Sequence, residues 1–234
     1  MSSKSVLIVI LLASLMAGCN LSSLSASPTP IPSDIPTLEF IQPTSPPVSP
    51  PTSTPTAGSS SPSTIPLSAD QVVLQRAAQV VAAFKVKDMS TVSNFVHSDM
   101  ALRFSPYAFI RDSDQLFSAD QVANLLSDST IYTWGVYDGS GESIDLTFTD
   151  YYSKFIYDED FTNAPQVALN HRLGMGNSLD NSMEFYPGAM VVEYYFPGFD
   201  PAYEGMDWRS LRLVFIQENN TWYLVGIIHD QWTT

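Results

Sequence analysis

Between Asn20 and Pro66, 31 of 47 residues are Pro, Ser or Thr, and only Asp34 and Glu39 carry charge. No part of this run gathers enough apolar surface to offset the entropy of ordering a chain. A disordered tether of polyproline character is therefore expected over residues 19–66. Leu38 to Ile41 is its one apolar island. At about 3.1 Å per residue the fully extended tether would approach roughly 150 Å, enough to hold a domain well away from its point of attachment. Any packed core is thereby confined to residues 67–234, and 168 residues suffice for one domain with a sizeable interior.

The segment before the tether reads as an export signal over residues 1–18. Lys4 supplies the positive start, and Val6 to Ala17 form a twelve-residue apolar run broken only by Ser14. Spanning a bilayer takes roughly 20 apolar residues, so this run is too short to be a membrane span. It ends in Leu15-Met16-Ala17-Gly18-Cys19, which resembles the lipobox of bacterial lipoproteins. The resemblance implies a diacylglyceryl (and palmitate-type) modification of Cys19, cleavage before it, and an extracytoplasmic domain anchored to membrane lipid at the cell envelope. Met16 departs from the Leu, Val or Ile usual at its position. Cys19 is the only cysteine of the chain, so an internal disulfide is impossible and acylation is the use its thiol is expected to have.

Charge narrows the partners of the C-terminal domain. Residues 67–234 carry 9 Lys plus Arg against 22 Asp plus Glu, a net charge of −13. Such a field repels nucleic acid and anionic lipid.

Along the domain, Ser68-Ala69-Asp70-Gln71 has the form of a capping box, followed by Val73, Ala77, Val80 and Phe84 on one helical stripe. A short helix is expected over Asp88–Val96, a brief strand or loop at Leu102–Tyr107, and a second capping box at Ser118–Gln121 opening a helix to about Leu126. Ile131–Tyr137 and Ser143–Phe148 read as strands joined by Asp138-Gly139-Ser140-Gly141. Thr149 is the expected cap of a helix holding Tyr151, Tyr152, Phe155 and Ile156. Strands at Met190–Phe196, Leu211–Gln217 and Thr221–His229 close the chain, the last two joined by Glu218-Asn219-Asn220.

Helices first and the longest strands last predict an α+β fold, with N-terminal helices packed on a curved antiparallel sheet. This order of elements resembles the nuclear transport factor two-like (ketosteroid-isomerase-like) cone superfamily, which implies a cone with an open pocket; no diagnostic motif accompanies the likeness. Segments such as Phe104-Ser105-Pro106-Tyr107, Trp134-Gly135, Phe196-Pro197-Gly198-Phe199-Asp200 and Met206-Asp207-Trp208-Arg209-Ser210-Leu211-Arg212 are similar to those of uncharacterised exported bacterial proteins, which imply no activity.

The candidate chemistry lies at the paired ends of the last two strands. His229 and Asp230 finish an apolar strand, while Asp207, Trp208, Arg209 and Arg212 open its antiparallel neighbour. Counting ten residues either side of Asn219 sets Arg209 opposite His229, with Asp207 or Asp230 bridging them at a pocket rim and Trp208 or Trp232 stacking nearby. On a strand His229 and Asp230 point to opposite faces, so they form no dyad unless the strand has ended. The same residues would equally serve as an ion-pair cluster pinning the sheet.

Other motifs are weaker. Asp138-Gly139-Ser140-Gly141-Glu142 fits a hairpin turn better than a calcium loop, Asp158-Glu159-Asp160 reads as a solvated acidic loop, and Gly174-Met175-Gly176-Asn177 as a turn. Three dispersed histidines give no zinc spacing, and neither a serine-hydrolase elbow nor a Ser-x-x-Lys motif occurs. No metal or cofactor is expected. Tyr107, Trp134, Tyr194, Tyr195, Tyr203 and Trp208 offer rings for a carbohydrate or peptide groove or for a core. Two functions follow: a non-catalytic module binding a small molecule or an envelope protein, or a cone-fold isomerase, dehydratase or hydrolase. The enzyme would use His229 or Asp230 as general base and Tyr194 or Arg209 to stabilise developing charge.

Overall fold

A computed structural model describes residues 66–176 and 178–233. The expected export signal, Cys19 and all of the expected tether but Pro66 lie outside the described residues. Within them the domain is α+β, with a mostly antiparallel curved sheet and helices.

Both capping boxes form. Ser68 Oγ accepts from the Gln71 N–H at 3.2 Å while the Gln71 side chain accepts from the Ser68 N–H at 2.9 Å, opening α1 (Ala69–Lys85). Two of the orphan donors of a helix start are thereby satisfied at once. Ser118 and Gln121 repeat the exchange for α3 (Ala119–Asn124). Between them lie α2 (Met89–Ser93) and the strands β1 (Leu102–Ser105) and β2 (Gln115–Phe117). The strands β3 (Ile131–Val136) and β4 (Ser143–Thr147) form a separate hairpin. The next helix, α4 (Phe148–Phe155), starts two residues before the expected place. Its cap is Thr147, not Thr149, because Asp150 stands three residues after Thr147 and answers it: Asp150 N–H donates to Thr147 Oγ1 at 3.2 Å, and that hydroxyl donates to the Asp150 carboxylate at 2.7 Å. Next come β5 (Gln166–Leu169), α5 (Ser182–Phe185), β6 (Met190–Phe196), β7 (Arg209–Glu218) and β8 (Thr221–Gln231).

The main sheet has the order β2-β1-β8-β7-β6-β5. It is not wholly antiparallel: β1 runs parallel to β8, with Phe104 beside Ile227. This long crossover sets β8 at the centre of the sheet, where both its faces are covered.

Two local features fix the register of β7 on β8. Asn219 and Asn220, at φ 48° and 61°, form a two-residue turn between Glu218 and Thr221. Asn tolerates this left-handed conformation, and such turns match the strand twist. Val214 then pairs with Gly226 but Phe215 with Leu224, so Val225 is an inserted, bulged residue. The expected pairing of Arg209 with His229 assumed a three-residue turn and no bulge. The observed partners are Arg209 with Gln231, Ser210 with Asp230, and Leu211 with His229. Each departure shifts the register by one residue, and the two together preserve the face, because side chains alternate with period two.

One face of the sheet packs the main core. Leu211, Leu213, Phe215, Leu224 and Ile227 meet Phe84 of α1, Phe148 and Phe155 of α4, and Trp134 of β3, all buried. Trp134 stacks on Tyr151 with centroids 3.8 Å apart. The opposite face is covered by the segment around α5, with Tyr186 and Ala189 packed on Val191, Val214, Val225 and Ile228. Among the described residues no helix is long and apolar enough to cross a membrane.

Candidate functional site

Strand β8 continues through Gln231, so His229 and Asp230 stay on a regular strand and face opposite sides of the sheet. Both are fully buried, at 0 % exposure. They therefore sit within the packed domain and not at a pocket rim, and each belongs to its own polar cluster.

On the core face, Asp158 is the bridge between Arg209 and His229. Its Oδ2 lies 3.1 Å from Arg209 Nε and 3.1 Å from His229 Nε2. A bridging carboxylate was expected from Asp207 or Asp230, and Asp158 was expected in a solvated loop; the segment after α4 instead turns its first acidic residue inward. His229 Nε2 thus faces the carboxylate, and Nδ1 has no partner among the described residues. The ring meets Phe155 edge-on at 5.5 Å. Burial pushes the Asp158 carboxyl upward, but the charge and hydrogen bond of His229 together with Arg209 outweigh it and hold the group below its ordinary value.

Asp207 takes no part in this cluster. Its Oδ2 accepts the backbone N–H groups of Phe199 and Asp200 at 3.1 and 2.8 Å, tying the loop that precedes β7. Arg209 Nη1 donates to the carbonyls of Asp207 and Trp208. Tyr194 is a core residue, and its burial raises the hydroxyl pKa well above the ordinary value.

The other face carries Asp230, Arg212 and Glu193, all at or below 1 % exposure. Asp230 Oδ2 receives Arg172 at 2.8 Å and Arg212 at 3.4 Å, and Arg212 reaches Asp180 at 2.6 Å. Burial raises the Asp230 pKa despite both guanidinium groups, whereas Asp180, also opposed by burial, is brought below its ordinary value by Arg212 and the Ser182 N–H. Glu193 accepts the N–H groups of Leu173 and Gly174 at 2.6 and 3.0 Å and the Ser210 hydroxyl at 2.5 Å. A cavity of about 50 Å³ remains between Arg212, Glu193, Asp180 and Arg172.

These bonds strap the described residues 172–176 and 178–180 onto the sheet, and Gly174 to Gly176, expected as a turn, run through that strap with only a bend at Gly176. A Cβ on Gly174 would stand 2.8 Å from the Trp208 ring. Trp208 is thus buried beneath the strap and beside Tyr195, on the face away from His229, while Trp232 lies half-buried beyond the end of β8. Sequence spacing pointed to neither Asp158 nor the partners Arg172, Asp180 and Glu193, because loops with no periodicity deliver all but one of them.

The larger cavities lie elsewhere. One of about 470 Å³ opens where the β3–β4 turn, the β1–β2 connection and the strap converge, lined by Tyr107, Phe109, Arg111, Tyr137 and Asp138. Another, of about 410 Å³, lies between α3 and β3. Among the described residues no group of three or more His, Cys, Asp or Glu is placed to hold a metal ion. Compared with known proteins, the chain matches no family model, no curated protein and no solved structure.

Proposed function

We propose that the chain is a cell-envelope lipoprotein, anchored to membrane lipid through acylated Cys19, that presents a non-catalytic binding domain on a long tether. The observation that carries the binding reading is the placement of His229 and Asp230. A general base must come within hydrogen-bond reach of its substrate. Both side chains are instead sealed at 0 % exposure, on opposite faces, with His229 Nε2 held on Asp158 and Asp230 Oδ2 shared by Arg172 and Arg212. They fit a clamp that pins the centre of the sheet and holds the strap. Accessible concave surface lies at the cavities lined by aromatic and polar side chains, in the size range of small-molecule sites. The cone likeness adds an expectation of ligand binding within a helix-covered sheet, but here the buried aromatic core occupies that face.

The anchor is tested with Cys19→Ser, which should release the protein from membranes into the aqueous phase of a detergent partition. Unchanged partitioning would refute it. The binding reading is tested by titrating purified cell envelopes with the unanchored Cys19→Ser chain, with and without His229→Gln, which should bind alike; loss of envelope binding in a variant with unchanged melting temperature would return His229 to the site.

A further inference from the structure

Resting on that binding reading, we propose that the cavity between Tyr107, Phe109, Arg111, Tyr137 and Asp138 is a binding site for a neutral saccharide. Three separate segments build it, and each is held. The Tyr107 ring packs edge-on against Phe155 at 5.9 Å, and its hydroxyl accepts from the Asp138 N–H at 3.4 Å. Tyr137 is fixed by Lys154, whose Nζ stands 4.3 Å from the ring centroid and donates to the hydroxyl at 3.0 Å. The Phe109 segment is tied to the strap through Asn181, which exchanges two hydrogen bonds with the backbone of Ile110 at 2.8 and 2.9 Å. A pocket assembled on such supports is preorganised, which lowers the entropy lost on binding.

The lining selects a ligand class. Phe109 is 41 % exposed and Val136 45 %, so part of their apolar surface faces solvent at the rim of the cavity. Arg111 makes no ion pair among the described residues, and its guanidinium lies 5.8 Å from the Phe109 ring centroid. Arg111 supplies donors and Asp138 acceptors, and their charges cancel. In a domain of net charge −13 a neutral lining is selective. Cations are drawn to acidic surface elsewhere, and polyanions are repelled. Ring faces rich in electrons suit the polarised C–H face of a sugar ring, while Arg111, Asp138 and the tyrosine hydroxyls suit its alternating hydroxyl donors and acceptors. The volume of about 470 Å³ falls within the range of small-ligand sites.

Isothermal titration of the full chain in detergent micelles with chitotetraose and with maltotetraose tests the site. One of these neutral tetrasaccharides should bind at one site per chain, and Phe109→Ala and Arg111→Ala should each weaken it by about tenfold. Both residues are exposed, so melting temperatures should stay within about 2 °C of wild type. Raising the salt concentration should leave the affinity of a neutral ligand nearly unchanged. Absence of binding by both sugars up to about 10 mM, or binding that survives both substitutions, would overturn the proposal. If envelope binding by the unanchored Cys19→Ser chain persists through both substitutions, this cavity is wrong and the binding reading stands. If neither envelopes nor sugars bind, both fall.

Discussion

Asp158 reaches across 71 positions of sequence to His229, its Oδ2 standing 3.1 Å from the imidazole Nε2. The same oxygen holds Arg209, so one carboxylate fastens the segment after α4 to the two central strands β7 and β8. Asp230, the next residue, fastens the strap to the other side.

The Asp158 bridge should appear in the acid limb of stability. Its pKa is held below that of an unfolded aspartate, which is about 3.9. A depressed carboxylate stabilises the folded state above the unfolded value, and that stabilisation is lost as pH falls through the lower folded value. Asp158→Asn should cost about 2–3 kcal/mol near neutral pH. Urea unfolding followed below about pH 4 should show a shallower loss in the variant than in wild type. An unaltered acid limb would show that the bridge contributes nothing.

The two faces should act independently. Asp158→Ala and Asp230→Ala remove carboxylates from separate networks, so their costs should add within about 0.5 kcal/mol. Asp230→Ala, which leaves Arg172 and the buried Arg212 without their shared partner, should alone cost about 3–5 kcal/mol. A double-mutant cycle with a larger coupling would mean that the clusters communicate through β8.

Gly174→Ala probes the strap. The added methyl would stand 2.8 Å from the Trp208 ring and 3.2 Å from Glu193 Oε1, so the ring or the strap must move. Overpacking of this kind costs about 1–3 kcal/mol. The tryptophan emission should shift to the red as Trp208 gains water. Emission and stability both equal to wild type would show that the strap accommodates the methyl freely.

Brief proteolysis should trim the chain to a resistant core starting near Leu67, where the Pro, Ser and Thr run gives way to the Ser68 capping box. Mass spectrometry of the surviving fragment checks this. Protection beginning near Asn20 would mean an ordered tether.

Much of the scaffold was legible because its signals are local. Ser68-x-x-Gln71 and Ser118-x-x-Gln121 announce helix starts within four residues, and alternating Ile144 and Leu146 announce a strand. The α4 start was misplaced because Thr147 and Thr149 both precede the apolar run, and only the answering Asp150 side chain selects between them. The strands β2 and β5 escaped notice because three or four residues carry no period.

The sequence by itself determined the Pro-, Ser- and Thr-rich composition before residue 67 and the α+β class of the domain, since these follow from composition or from a period of two or 3.6 residues; that His229 and Asp230 face opposite ways became fixed only because β8 runs on through Gln231. The tertiary structure decided what those side chains meet. A bulge at Val225 and a two-residue turn displaced Arg209 from His229 by two positions yet kept them on one face, and Asp158 arrived from a loop to join them. Arg172 and Asp180 arrived the same way for Asp230 and Arg212. Loop residues are brought to their partners by the path of the chain through space, and no spacing along the chain records that path.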